Sequence, residues 1–215
     1  HNCSGKHSGM LGMAKMQGWP LETYLEPEHP LQKQILESLG KIAQIPAEHI
    51  RIGIDGCSAP NFALPLSNAA LALARLMQPE GLPPEEAQAA EKIRSAILAH
   101  PEAVAGEGFF DTEVMSATRG SVLAKSGAEG YLGLALAPGL FSAGSPALGI
   151  VIKVADGDAR GWARDALGVE VLRQLGVLDE ETAVSLASFG PVREIRNFRE
   201  LPIGEARPVF ELERH

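Results

Sequence analysis

Apolar residues recur at helical spacing from Pro30 to Leu39, where Leu31, Ile35, Leu36 and Leu39 share one face and the leading proline suits a first turn. Two more helices are predicted: Leu66 to Met77, and Glu85 to Leu98, in which Ala89, Ile93 and Ile97 are spaced for one buried face. The stretch Gln78 to Pro84, with its glycine and prolines, connects them. After Ile45-Pro46, Arg51 to Asp55 alternates Ile52 and Ile54 with smaller or charged neighbours and reads as an extended segment delivering Asp55-Gly56-Cys57. From Ser121 the texture changes. Val122 to Lys125, Tyr131 to Ala137 and Ala147 to Val154 are short apolar runs punctuated by Gly127, Gly130, Pro138-Gly139 and Asp156-Gly157, the pattern of adjacent antiparallel strands. Asp158 is placed to cap a helix running to about Leu175, and Val209 to Leu212 reads as a final strand. The expectation is an α/β protein of the α+β kind: a mainly helical region over about 1–118, then an antiparallel sheet with helices over about 119–215.

Composition narrows the class. At 215 residues and 45% hydrophobic content, the chain can bury one substantial core or two smaller lobes and is not a disordered polymer. A formal net charge of −8 and a pI near 5.3 argue against nucleic acid or an anionic membrane as partner, and Arg193, Arg196 and Arg199 are interspersed with acids. No apolar run approaches the ~20 residues of a membrane helix and no signal peptide precedes the first motif, so the expected location is the cytoplasm.

The two cysteines, Cys3 and Cys57, both stand in glycine-flanked polar settings. Cys3 and Lys6, three residues apart, share a face if the segment is helical, and Cys57 would arrive from a loop. Two thiolates and one neutral amine fill three positions of a tetrahedral zinc and leave the fourth open. Lysine is the odd ligand, because an ammonium has no lone pair and must first lose its proton. Two small reduced residues, or a disulfide, are the other readings of this pair. His7 beside Lys6 suits an ordinary hydrogen bond or proton transfer, whereas His29, His49 and His100 have no partner pattern. Asp156-Gly157-Asp158 has the look of a calcium loop but lacks its further oxygen ligands, so a turn plus helix cap is the better account.

Three motifs in order carry a resemblance: Asn2-Cys3-Ser4-Gly5-Lys6-His7 with Gly9-Met10; Asp55-Gly56-Cys57 with Pro60; and Lys125-Ser126-Gly127-Ala128-Glu129-Gly130. Together they resemble the class 3 L-asparaginases, the asparaginase II family, over nearly the whole chain. The resemblance implies a fold like that of serine β-lactamases and penicillin-binding proteins. It implies an amidohydrolase acting on L-asparagine through a serine activated by lysine and an acyl-enzyme. By motif it makes Cys3, Lys6 and Cys57 zinc ligands, Asp55 a substrate-site aspartate and Lys125 a catalytic lysine, and it puts His7, Ser126 and Gly127 beside the substrate. It also makes a homodimer plausible. On their own residues, Asp55 is a turn former before glycine and Lys125 a lysine at a strand end.

One part of the family pattern is not found. The reacting serine belongs to a Ser-x-x-Lys motif upstream of the Asn-Cys-Ser-Gly-Lys-His segment, and that segment here begins at residue 2. Ser4 is followed three residues later by His7, Ser58 by Asn61, Ser67 by Ala70, Ser121 by Ala124 and Ser142 by Ser145. With histidine first rather than methionine, the expectation is a fragment whose missing amino-terminal segment supplies the nucleophile. Two alternatives stand beside it: Cys3 as nucleophile with His7 or His1 as base, and a zinc-containing amino-acid-binding or partner-binding domain without catalysis.

Overall fold

A computed structural model describes residues 2–213, and among them the chain is mixed α and β, with eight α-helices and three small antiparallel sheets. It divides into two compact units, His1–Ala72 and Leu73–His215.

In the first unit α1 (Asn2–Gln17) is followed by α2 (Pro30–Ala43), and the hairpin β1 (Arg51–Ile54) and β2 (Pro60–Ala63) precedes the start of α3 (Leu66–Met77). α1 carries Gly5, Gly9 and Gly12, poor helix formers, yet its face Met10 and Ala14 is buried against Leu31 of α2 and Ala59 of the hairpin. Cys3, Lys6 and His7 continue that face toward the helix start. α2 starts at Pro30 as predicted, and buried His29 is its N-cap, Nδ1 accepting from Leu31 N (3.1 Å) while Nε2 bonds Pro20 O (2.9 Å). The bonding fixes His29 as the neutral Nε2–H tautomer. β1 pairs antiparallel with β2, Ile54 opposite Pro60, so residues 55–59 form the hairpin loop.

In the second unit the sheet order is β3 (Val122–Gly127), β4 (Tyr131–Leu136), β5 (Leu148–Lys153), all antiparallel, as the three apolar runs predicted. Leu132, Leu134 and Leu136 are fully buried on one face of central β4, and Ala135 on the other. α6 (Phe110–Ala117) packs on β3 and α7 (Trp162–Gln174) on β4 and β5, while Leu73 of α3 meets Gly133 on the opposite face. α4 (Pro84–Ala99) and α5 (Pro101–Ala105) lead into α6; α8 (Glu180–Ser185) and the hairpin β6 (Arg193–Arg196) and β7 (Pro202–Ala206) follow α7.

Several expectations need correction. α4 buries Ala90, with Ile97 and Leu98 partly covered, and leaves Ile93 53% exposed: the covered face runs through Ala90, Arg94 and Ile97, and Arg94 on that face donates to Met77 O (2.6 Å). Val209 to Leu212 is not a strand. The side chain of Gln174 takes the place of a strand partner, donating to Phe210 O (2.9 Å) and accepting from Leu212 N (2.8 Å). Asp158 does cap α7, although Gly161 is the N-cap residue: its Oδ2 accepts Arg164 N at 2.8 Å, and Asp156 Oδ1 accepts Asp158 N at 3.0 Å. No helix of the described residues is long and apolar enough to cross a membrane.

Candidate functional site

In the first unit, Cys3 and Lys6 stand one turn apart on α1 and the hairpin loop brings Asp55 and Cys57 to them. Two backbone bonds shape that loop, Asp55 N to Ala59 O (2.8 Å) and Ser58 N to Asp55 O (2.9 Å), with Ser58 left-handed at φ +69°. Lys6 Nζ lies 3.4 Å from Asp55 Oδ2, and both side chains are about two-fifths exposed. Asp55 is held below the usual carboxylate range by the Gly56 amide (2.6 Å to Oδ1) and then by Lys6. Partial burial works to lower Lys6, but hydrogen bonding and charge from Cys57 and Asp55 outweigh it and raise the group, which is therefore an ammonium near neutral pH.

The two thiols differ, and neither is in a disulfide. Cys57 is brought down to about 7 by the His7 imidazole, the Ala59 amide and Lys6. Burial and the neighbouring Cys57 push Cys3 up. Of the two, Cys57 is the thiol whose surroundings favour the thiolate; His1, the other base suggested for Cys3, lies outside the described residues. His7 takes the bland role in part: Nδ1 bonds Tyr24 Oη at 2.7 Å and the rings meet edge to face. Among the described residues no hydrogen bond is formed at its buried Nε2, and the imidazole is the leading influence that lowers the Cys57 thiol.

Among the described residues no three His, Cys, Asp or Glu side chains converge on one cation position, so a metal here would need the Lys6 amine as a donor beside the two thiols. The chemistry of the donor set is compatible with zinc on those terms: one thiol is already acidic, the pair is reduced, and a cation would have to displace the Lys6 proton that Cys57 and Asp55 favour.

The second cluster lies at the end of β3 in the second unit. Lys125 and Ser126 begin on opposite faces of the strand. Ser126 N and Oγ both donate to Asp111 Oδ2, at 2.7 and 3.0 Å. Lys125 curls over the strand end, donating to Ser126 O, with Nζ 3.9 Å from the same carboxylate oxygen. Gly127 leaves room for Tyr131, whose Cδ1 would stand 3.3 Å from an added Cβ, and Gly127 O receives Arg164 Nη1 (3.4 Å). Asp111 is 1% exposed, and among the described residues no hydrogen bond reaches its Oδ1.

A family model for L-asparaginase II matches residues 1–208. The chain belongs to the L-asparaginase II family. No curated protein matches it. Family membership makes an asparaginase-type amidohydrolase the general function.

Asp111 is the residue that the motifs missed in this asparaginase-family chain. Its sequence signal was weak: Asp111 and Glu113 both stand between Phe110 and the apolar Val114-Met115, the ordinary place for acids in a first helical turn, and only the fold shows which of the two is buried. The serine survey also passed over Ser38-Leu39-Gly40-Lys41, which has the Ser-x-x-Lys spacing. That pair lies on exposed positions of α2, after the Asn-Cys-Ser-Gly-Lys-His segment and so out of family order. Nor did sequence reading find the cleft of about 370 Å³ in the second unit, where Arg160 and Arg193 stand 4.9 and 5.4 Å from the Trp162 ring.

Proposed function

We propose that this chain is part of an L-asparaginase that converts L-asparagine to L-aspartate and ammonia through a Ser/Lys acyl-enzyme, within a β-lactamase-like catalytic domain. The observation that carries the reading is that the three motifs fold into two chemically coherent clusters: Cys3, Lys6, Asp55 and Cys57 in one unit, Lys125 and Ser126 in the other. A serine of the family's Ser-x-x-Lys motif attacks the side-chain carbonyl, ammonia leaves, and water releases aspartate. Lys125 supplies the second lysine of the site, Asp55 faces the substrate's α-ammonium, and Ser126, Gly127 and His7 complete its surroundings. Cys3, Lys6 and Cys57 would hold zinc. Bound there, zinc supplies a positive charge that braces α1 and the hairpin loop, and no hydrolytic step passes through it. A homodimer belongs to the same reading.

The test is ammonia release from L-asparagine and L-glutamine by protein made from the complete reading frame, beside residues 1–215, at matched zinc content and after chelation. Release that prefers asparagine and weakens in zinc-depleted protein is expected. Full activity in verified zinc-free enzyme removes the metal from the reading. Asparagine binding without turnover in the complete protein replaces the enzyme with a binding domain.

A further inference from the structure

Asp111 is a carboxylate buried at the start of α6, and its Oδ2 gathers both polar residues of the β3 end, accepting from Ser126 N and Oγ with Lys125 Nζ 3.9 Å away. Its acceptance of the Ser126 amide satisfies the open edge of β3, which is the outer strand of the sheet. That much is structural. The second bond has a chemical consequence: with its proton committed to Asp111, Ser126 Oγ presents only lone pairs and can accept but not donate. Lys125, drawn around the strand end toward the same carboxylate, presents only N–H donors.

From this we propose that Asp111 is a positioning residue that fixes Ser126 and Lys125 as an acceptor and a donor matched to the NH₂ and C=O of a primary carboxamide. The inference rests on the asparaginase reading and goes beyond it, because it says why an amide is preferred over an isosteric acyl group with no N–H. A β-methyl ester of L-aspartate keeps the carbonyl for Lys125 but gives Ser126 Oγ nothing to accept. Replacing Asp111 by alanine removes the acceptor of both Ser126 bonds, so the hydroxyl is released to donate elsewhere, whereas asparagine, with its carbonyl oxygen in the place of Oδ2, can still accept from both.

The neighbouring groups do not supply the same function. Asp165 on α7 is already engaged by Arg164 (3.2 Å) and Arg193 (4.0 Å), and burial, ahead of those arginines, pushes its carboxyl up. Glu113 on α6 accepts the Gly108 amide at 2.9 Å.

The experiment compares kcat/KM for L-asparagine and for β-methyl L-aspartate in the complete protein and its D111A, D111N and S126A variants, with thermal melting to confirm folding. D111A should lose about tenfold in the amide-to-ester ratio, the worth of one hydrogen bond. S126A should lose the same, D111A/S126A no more than either alone, and D111N, whose carbonyl oxygen can still accept from Ser126, should keep most of the ratio. A variant that only damages the fold lowers both substrates alike, so an unchanged ratio in folded D111A overturns the inference. If the parent protein turns over neither substrate, the asparaginase reading fails first; the same ratio is then measured as binding by calorimetry. Preference for asparagine over the ester that D111A abolishes upholds the inference, and no preference, or no binding of either, overturns it.

Discussion

Gly168 lies inside α7, where alanine is ordinarily the better residue by about 1 kcal/mol. The packing reverses that sign. An added Cβ would stand 2.7 Å from Leu132 Cδ2 and 2.9 Å from Phe110 Cζ, closer than real contacts allow. Leu132 is 0% exposed and Phe110 3%, so neither has solvent to move into, and α7 must lift from β4 and α6. Overpacking of this kind costs about 1–3 kcal/mol. Set against the propensity gain, Gly168→Ala should destabilise the second unit by roughly 1 kcal/mol. The matched control is Gly12→Ala on α1, an exposed helical glycine with nothing within 4 Å of its Cβ position, which should gain up to about 1 kcal/mol. Urea denaturation followed by Trp162 fluorescence in a Trp19→Phe background reports the second unit, and the reciprocal background reports the first. A higher midpoint for Gly168→Ala would refute the reasoning, because it would mean that α7 approaches β4 without needing a bare Cα. The site is affected too: Asp165, one turn earlier on α7, feels the charge of Asp111, so displacement of the helix should disturb the Ser126 end of β3 as well.

Two further outcomes follow from single contacts. In metal-free protein near pH 7, iodoacetamide should modify Cys57 well before Cys3, since the thiolate reacts and Cys57, at about 7, is substantially ionised while Cys3 is pushed up; the Cys57 rate should rise through neutral pH and level above it, Lys6→Met should move that rise to higher pH, and peptide mapping that finds Cys3 the faster thiol would contradict the arrangement. Asp158→Ala removes the cap on Arg164 N at 2.8 Å and should cost about 1 kcal/mol in thermal denaturation, with no loss if the cap is idle.

What the sequence disclosed follows from the range over which each feature is encoded. α2 and α3 were legible to within a few residues because a continuous apolar stripe and a leading proline are local signals. The β3–β4–β5 meander was legible because its turns are punctuated by glycine and its strands, buried or half-buried at every position but Lys153, are apolar along most of their length. The full extent of α1 was not, because three glycines erase its propensity and only Met10 and Ala14 commit it to the core. The β6–β7 hairpin was missed for the opposite reason: every residue of β7 is exposed, so no alternation announces it.

The candidate site divides along the same line. Cys3, Lys6, Asp55 and Cys57 could be named from motifs because each is a reactive residue in a recognisable neighbourhood, and the fold brings them together through one helix face and one hairpin loop. Their unequal electrostatics were not readable: what separates Cys57 from Cys3 is the Ala59 amide and the His7 ring, and both depend on how the loop meets α1. Asp111 was invisible for a stronger reason. An aspartate in a first helical turn, two residues before another acid, announces nothing special, and its partner here is a backbone amide and a hydroxyl on a strand that the sequence places 15 residues away. A motif marks residue types in a recognisable order, whereas the carboxylate that gathers Ser126 is set by where α6 docks on β3. That is why the β3 end could be recognised as a Lys-Ser-Gly element from sequence, while the commitment of its serine proton to Asp111 required the fold.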